Sequence, residues 1–174
     1  MTKKKIYLIH PSYKDQGGTL LKGKKLYTIS LALPALSSII PNDWEKEFCF
    51  EYFEELNFDS DASIIGITSM GYEIFRAIEI AIEFRKRGKK VILGGFQPHI
   101  SVNFIKDYCD SIIHGNPGIP DMSKILKDAE LNSLQKEYFC QTDLNYKLDY
   151  SIVDTSKIFD ISGMPGFPWI MESQ

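Results

Sequence analysis

His10, His99 and His114 each fall at or just past the carboxyl end of a predicted strand. Three imidazoles on one edge of a sheet could hold a metal ion. Here they lie on three separate loops, with no His-x-x-x-His and no carboxylate at ligand spacing, so they read as polar residues around a pocket mouth. Ser69 could serve as a nucleophile, but Thr68, Met70 and Gly71 around it do not form G-x-S-x-G. Cys49, Cys109 and Cys140 are far apart and include no C-x-x-C, which fits reduced structural thiols rather than a zinc or iron–sulfur motif. Gly94-Gly95 belongs to no G-x-G-x-x-G, and no P-loop G-K-[ST] occurs. The loop after the first strand offers His10, Pro11 and Ser12, not the acidic cluster of a phosphate-accepting receiver. The residues thus assign no catalytic group and no metal ligand. They point to a binding edge.

That edge is built by a regular alternation of elements. Lys5 to Ile9 reads as a strand stopped by His10-Pro11. Leu26 to Ile40 has helical spacing, with Pro34 marking either a kink or the first turn. Glu45 to Phe50 alternates as a half-exposed strand, and Ile64 to Thr68 is apolar on both faces, as a central parallel strand should be. Tyr72 to Arg87 forms an amphipathic helix with Ile74, Ala77, Ile78, Ala81 and Phe84 as its buried stripe. A strand at Val91–Leu93, a short helix at Val102–Tyr108, a strand at Ser111–His114 and a helix at Asp121–Ala129 follow. This order predicts an α/β, doubly wound parallel sheet of five strands with right-handed crossovers. In such sheets ligands sit outside the carboxyl ends of the strands. Thr68-Ser69-Met70-Gly71 and Gly94-Gly95 are the small-residue loops there.

Beyond residue 130 the rhythm breaks. Lys136 to Cys140 has the composition of one more strand, and Asp143 to Gln174 carries many apolar residues without a period. The division expected is a domain over 1–130 and an extended segment over 131–174. That segment either folds back on the sheet's flank or supports self-association, because its apolar residues would otherwise form an exposed patch. The net charge of −3 opposes a nucleic-acid partner. No apolar run is long enough for a bilayer and no signal peptide is evident, which places the protein in the cytoplasm.

Three pieces of sequence carry a family resemblance: Ile64 to Met70 (I-I-G-I-T-S-M), Arg76-Ala77 in the next helix, and Phe84 to Gly95 (F-R-K-R-G-K-K-V-I-L-G-G). With Asp110 to Gly115 (D-S-I-I-H-G), they resemble the N-terminal cobalamin-binding domain of B12-dependent radical S-adenosylmethionine enzymes. The resemblance spans Lys5 to Ala129. It implies a flavodoxin-like, Rossmann-like fold with helices on both faces and cobalamin across the carboxyl edge. Carried onto this chain, it makes Ser12, Thr68, Ser69, Met70, Gly71, Gly94, Gly95, Phe96, Gln97, Gly115 and Asn116 the cofactor-binding candidates. Hydroxyls and backbone N–H groups there could bond the cofactor's phosphate and amides.

The resemblance also implies a radical S-adenosylmethionine domain in cis, holding a [4Fe-4S] cluster and S-adenosylmethionine. The C-x-x-x-C-x-x-C run of that domain is absent here, so the chain is expected to be a module whose catalytic domain lies elsewhere. Asn116-Pro117 departs from the family's glutamate after Gly115. D-x-H-x-x-G is missing after the first strand, so cobalamin is expected base-off without a histidine ligand, and His99 is better placed for the nucleotide tail than for cobalt. The alternative is a flavodoxin-like docking domain that binds no cobalamin. A cleft closed by Phe96 and Tyr13 would favour it.

Overall fold

The structure is a computed structural model that describes residues 4–141 and 147–158. Six parallel strands form one sheet: β1 (Lys5–His10), β2 (Glu45–Phe50), β3 (Ile64–Thr68), β4 (Lys90–Gly94), β5 (Ser111–His114) and β6 (Glu137–Phe139). Their order is β2-β1-β3-β4-β5-β6. This is the flavodoxin-like arrangement expected, with one correction: the sheet has six strands, not five. β6 falls within Lys136 to Cys140, the stretch that could be one more strand by its sequence; it is three residues long and only Tyr138 is buried, too short for a period. Its register is set by β5, where Ile113 pairs with Tyr138. The sheet therefore runs past residue 130.

Both faces of the sheet are covered, which is why the central strands are apolar in continuous runs. Tyr7, Ile9, Ile65, Ile67, Val91 and Leu93 point to one side and pack on α2 (Glu73–Lys86). Tyr7 meets Phe84 edge-on, with ring centroids 6.0 Å apart. Each such buried side chain contributes about 1.5–3 kcal/mol. Ile6, Leu8, Ile64, Ile92 and Ile113 point to the other side, toward α1 (Ala32–Ile39) and α5 (Ile119–Glu130). Pro34 lies in the first turn of α1, the second of its two predicted placements. The predicted helix at Val102–Tyr108 is instead two short helices, α3 (Phe96–Ile100) and α4 (Val102–Ile105). Pro98 sits inside the first turn of α3, where a missing N–H costs nothing.

The chain turns from β1 to β2 on one side and then crosses to β3 on the other. The reversal leaves a crevice at the carboxyl ends of β1 and β3. Residues 147–158 return across α1. Asp149 N–H donates to Pro34 O (3.2 Å), Ser37 Oγ donates to Asp149 Oδ2 (2.6 Å), and Leu26 N–H donates to Lys157 O (2.9 Å). Of the apolar residues predicted to fold back, Val153 and Ile158 belong to this stretch; Phe159 to Met171 lie outside the described residues. Among the described residues no helix is long and apolar enough to cross a membrane.

Candidate functional site

The carboxyl end of the sheet opens into a cavity of about 360 Å³ on the α1/α5 face. Its floor is Ile6, Leu8, Gly66, Thr68 and Gly94, and its near wall is Ala32, Ala35 and Leu36 of α1. The cause lies in the period-2 alternation of the strands. Gly66 lies between Leu8 of β1 and Ile92 of β4, Gly94 lies beside Thr68 of β3, and α1 turns alanines toward them. A Cβ on Gly94 would meet nothing nearer than Ile113 Cβ at 3.8 Å. The fold's own packing does not require that glycine, and the space it leaves is available to a ligand. A Cβ on Gly66 would approach Leu8 Cδ2 at 2.7 Å, a flexible side-chain end.

Gly95 is different. Its φ is +99°, and a Cβ there would come within 2.7 Å of Ser69 O and 2.9 Å of Thr68 Oγ1. Backbone geometry and close approach both demand glycine. The loops after β3 and β4 therefore touch. Ser69 N–H donates to Gly94 O (3.1 Å), and Gln97 N–H donates to Ser69 O (3.3 Å). The open space lies beneath this contact, along the sheet face. Phe96 is 63% exposed and Tyr13 46% exposed, so neither plugs it.

The structure gathers Thr68, Gly94, Gly95, Phe96, Gly115 and Asn116 around the cavity. The other candidates lie elsewhere. Ser12 is buried, donates through Oγ to Leu21 O, and donates through N–H to Glu51 Oε2 (3.0 Å). It lines a second cavity of about 190 Å³ with His10 and Glu73. Ser69 is buried beside the main cavity, and its Oγ has no hydrogen-bond partner among the described residues. Met70 is 67% exposed on the rim, followed by exposed Gly71. Gln97 turns away, its Nε2 donating to Ser101 Oγ (2.7 Å).

Sequence reasoning missed the alanine wall of α1 and Gly66. Their signals were present: Ala32 and Ala35 stand three apart on one helix face, and Gly66 alternates with Thr68. It also missed Glu51, which is 1% exposed and receives Arg76 of α2 twice, through Nη2 (2.7 Å) and Nε (3.0 Å) on Oε1. This pair ties the ends of β1 and β2 to the start of α2.

His99 and His114 come together, with Nδ1 atoms 2.9 Å apart, and His114 Nε2 lies 2.8 Å from Glu137 Oε2. His10 stands apart against Phe50, with Glu73 Oε2 3.8 Å from its Nε2. Burial pushes the His10 pKa below its ordinary 6.5, and Glu73 only partly opposes this. Burial likewise pushes the Cys49 thiol up to about 12 and those of Cys109 and Cys140 to about 11. All three stay protonated at neutral pH, which removes them as nucleophiles.

The His10 shift has a consequence for stability. Between its folded value and 6.5 the unfolded chain binds more protons than the folded one, so stability rises with pH through that window. Urea unfolding is expected to show stability falling as pH drops below about 6.5, before the carboxylates begin to titrate near about 4.5. A His10→Gln variant should flatten the pH 5–7 part of that curve. An equal slope in variant and parent would assign the effect elsewhere.

No protein-family profile matches the chain. It is 36% identical over 146 residues to the bacteriochlorophyllide d C-8(2)-methyltransferase of Chlorobaculum tepidum. The match takes in 79% of this chain and 32% of that protein, so the chain spans about a third of the relative's length.

Proposed function

We propose that this chain is the cobalamin-binding module of a B12-dependent radical S-adenosylmethionine methyltransferase. The observation that carries this is the cavity under the carboxyl edge, left open where Gly94 lacks a side chain that the floor could otherwise hold. Its volume of about 360 Å³ suits one arm of a large cofactor, an aromatic base with its sugar, rather than the whole molecule. The corrin would then lie across the carboxyl edge, over the rim at Met70, Gly71 and Phe96. Three features fit such a ligand: an apolar slot for the base, the Gly94-Gly95 backbone for close approach, and the Thr68 hydroxyl for polar groups of the tail. Asn116 offers a further amide at the mouth.

The relative's name supports methyl transfer, and the substrate belongs to parts of the enzyme beyond this module. Bound cobalamin would supply a methyl-carrying cobalt to the S-adenosylmethionine domain in cis, which would hold the [4Fe-4S] cluster. The protein's own contribution is to bind the tail, fix the ring's orientation and keep water off its lower face. With its base in the apolar slot, cobalamin would be held base-off, and this chain would offer cobalt no histidine ligand. His114 has both ring nitrogens engaged, and His10 lies in the other cavity. The open cavity favours this function over a docking domain, which would need no such slot.

Gel filtration with hydroxocobalamin tests the proposal. The pink chromophore is expected to elute with the protein. Complete separation of the two would overturn it. The cob(II)alamin electron-paramagnetic spectrum should be unchanged in His10→Ala and His114→Ala.

A further inference from the structure

His99 lines the cavity, on the side of Gly115 and Asn116, where the family resemblance places the nucleotide tail rather than the cobalt. Its surroundings are unusual for a residue on a five-residue helix. His114 is 4% exposed and sits between two partners: Glu137 Oε2 at 2.8 Å from its Nε2, and His99 Nδ1 at 2.9 Å from its own Nδ1. Phe139 stacks flat on the His114 ring, 4.4 Å away and tilted by 6°, and so fixes the ring plane. The 2.9 Å separation is that of a hydrogen bond. It is too short for two nitrogens sharing a tetrahedral zinc, which bonds of about 2.0–2.1 Å would hold roughly 3.3 Å apart. Among the described residues no group of three or more His, Cys, Asp or Glu side chains is arranged to hold a metal ion.

The proton positions follow from the donors and acceptors present. An ionised Glu137 can only accept, so His114 carries its proton on Nε2. In the neutral ring its Nδ1 is then a bare acceptor, and His99 must donate from Nδ1. A neutral His99 therefore has no proton on Nε2. The chain of three fixes the tautomer of the last ring, as second partners do for functional histidines elsewhere.

We infer that Glu137, His114 and His99 form a tautomer-fixing relay that gives this mostly apolar cavity a hydrogen-bond acceptor at His99 Nε2, for an N–H or O–H group of the bound ligand. The inference rests on the cobalamin proposal for the ligand's identity; in that cofactor the donors are its side-chain amides and sugar hydroxyl. His99 is the ligand-binding residue, and His114 and Glu137 are positioning residues.

Two measurements test it. Long-range proton–nitrogen spectra of the free protein at pH 7.5 should show His99 protonated on Nδ1 and bare on Nε2, with His114 the reverse. Glu137→Gln retains an acceptor and should keep this pattern, whereas Glu137→Leu should lose it. A His99 protonated on Nε2 in the parent protein would overturn the relay. In the second measurement, hydroxocobalamin is titrated into the protein. His99→Phe should bind about tenfold more weakly, as expected for loss of a hydrogen bond to a desolvated partner. Glu137→Leu should weaken binding less, and Glu137→Gln should match the parent. Equal affinity in His99→Phe would overturn the ligand-binding role while leaving the cobalamin proposal intact. No binding by the parent would overturn that proposal, and the tautomer pattern would still decide the relay. A nitrogen-split cob(II)alamin signal that vanished in His99→Phe would make His99 a cobalt ligand and overturn its assignment as an acceptor.

Discussion

Replacing Glu51 by alanine is expected to lower the stability of the fold by about 3–5 kcal/mol, the usual consequence of breaking a buried ion pair from one side. Glu51 is 1% exposed, and the Arg76 side chain is 19% exposed. Removing the carboxylate leaves the partly buried guanidinium with Glu79 Oε2 (2.9 Å) as its remaining carboxylate partner among the described residues. It also orphans the buried Ser12 N–H, which donates to Glu51 at 3.0 Å. Against a typical total of about 5–15 kcal/mol, this is a large share. The cost arises from the uncompensated partner rather than from the attraction itself. The double change Glu51→Leu with Arg76→Met should therefore recover much of the loss, and Arg76→Met alone should not. Urea unfolding at pH 7 decides the matter. A loss under about 1 kcal/mol in Glu51→Ala would show that water or a moved side chain replaces the carboxylate.

That pair also shows where a sequence stops being legible. Arg76 stands out in the chain as part of a family-like helix start. Its partner is 25 residues away in the turn after β2, and no spacing rule links the two. The sheet was readable because each strand announces itself locally: Ile64 to Thr68 by apolar residues on both faces, Glu45 to Phe50 by alternation. Three-residue β6 has no room for a period, so Lys136 to Cys140 suggested a strand by composition alone, and its place in the sheet comes from the edge that β5 offers. The cavity is a middle case. The glycines of the two loops were visible, but an absent side chain can serve a turn, a close approach or an empty space. Only the three-dimensional neighbours distinguish Gly95, which the backbone needs, from Gly94, which it does not. The histidines follow the same logic. Their positions at strand ends placed them on one edge, but the pairing of His99 with His114 depends on how α3 folds back over β5. Five residues around Pro98 gave no helical signal for that.

Gly94→Val should separate the cavity's role in binding from its role in folding. A Cβ at Gly94 finds only Ile113 Cβ, at 3.8 Å, so the first added carbon meets no protein atom closely. The backbone of Gly94 is outside the left-handed region that resists side chains. Valine is a favoured strand residue, and losing a glycine removes chain entropy from the unfolded state, an effect of about 0.4–1 kcal/mol. The melting temperature should hold or rise. The two methyl groups would nevertheless stand in the cavity floor, where a bound base must lie flat. Overpacking of about 1–3 kcal/mol corresponds to a loss of affinity for hydroxocobalamin of roughly 5- to 150-fold. Gly95→Ala could not make this distinction, because its Cβ would press on Ser69 O and any loss of binding could follow from loss of structure. The informative result is therefore a Gly94→Val protein that melts at or above the parent temperature and no longer carries the pink chromophore through gel filtration. Parental affinity in that protein would move the ligand off this face of the sheet. A lowered melting temperature would instead mean that Gly94 is needed by the fold itself.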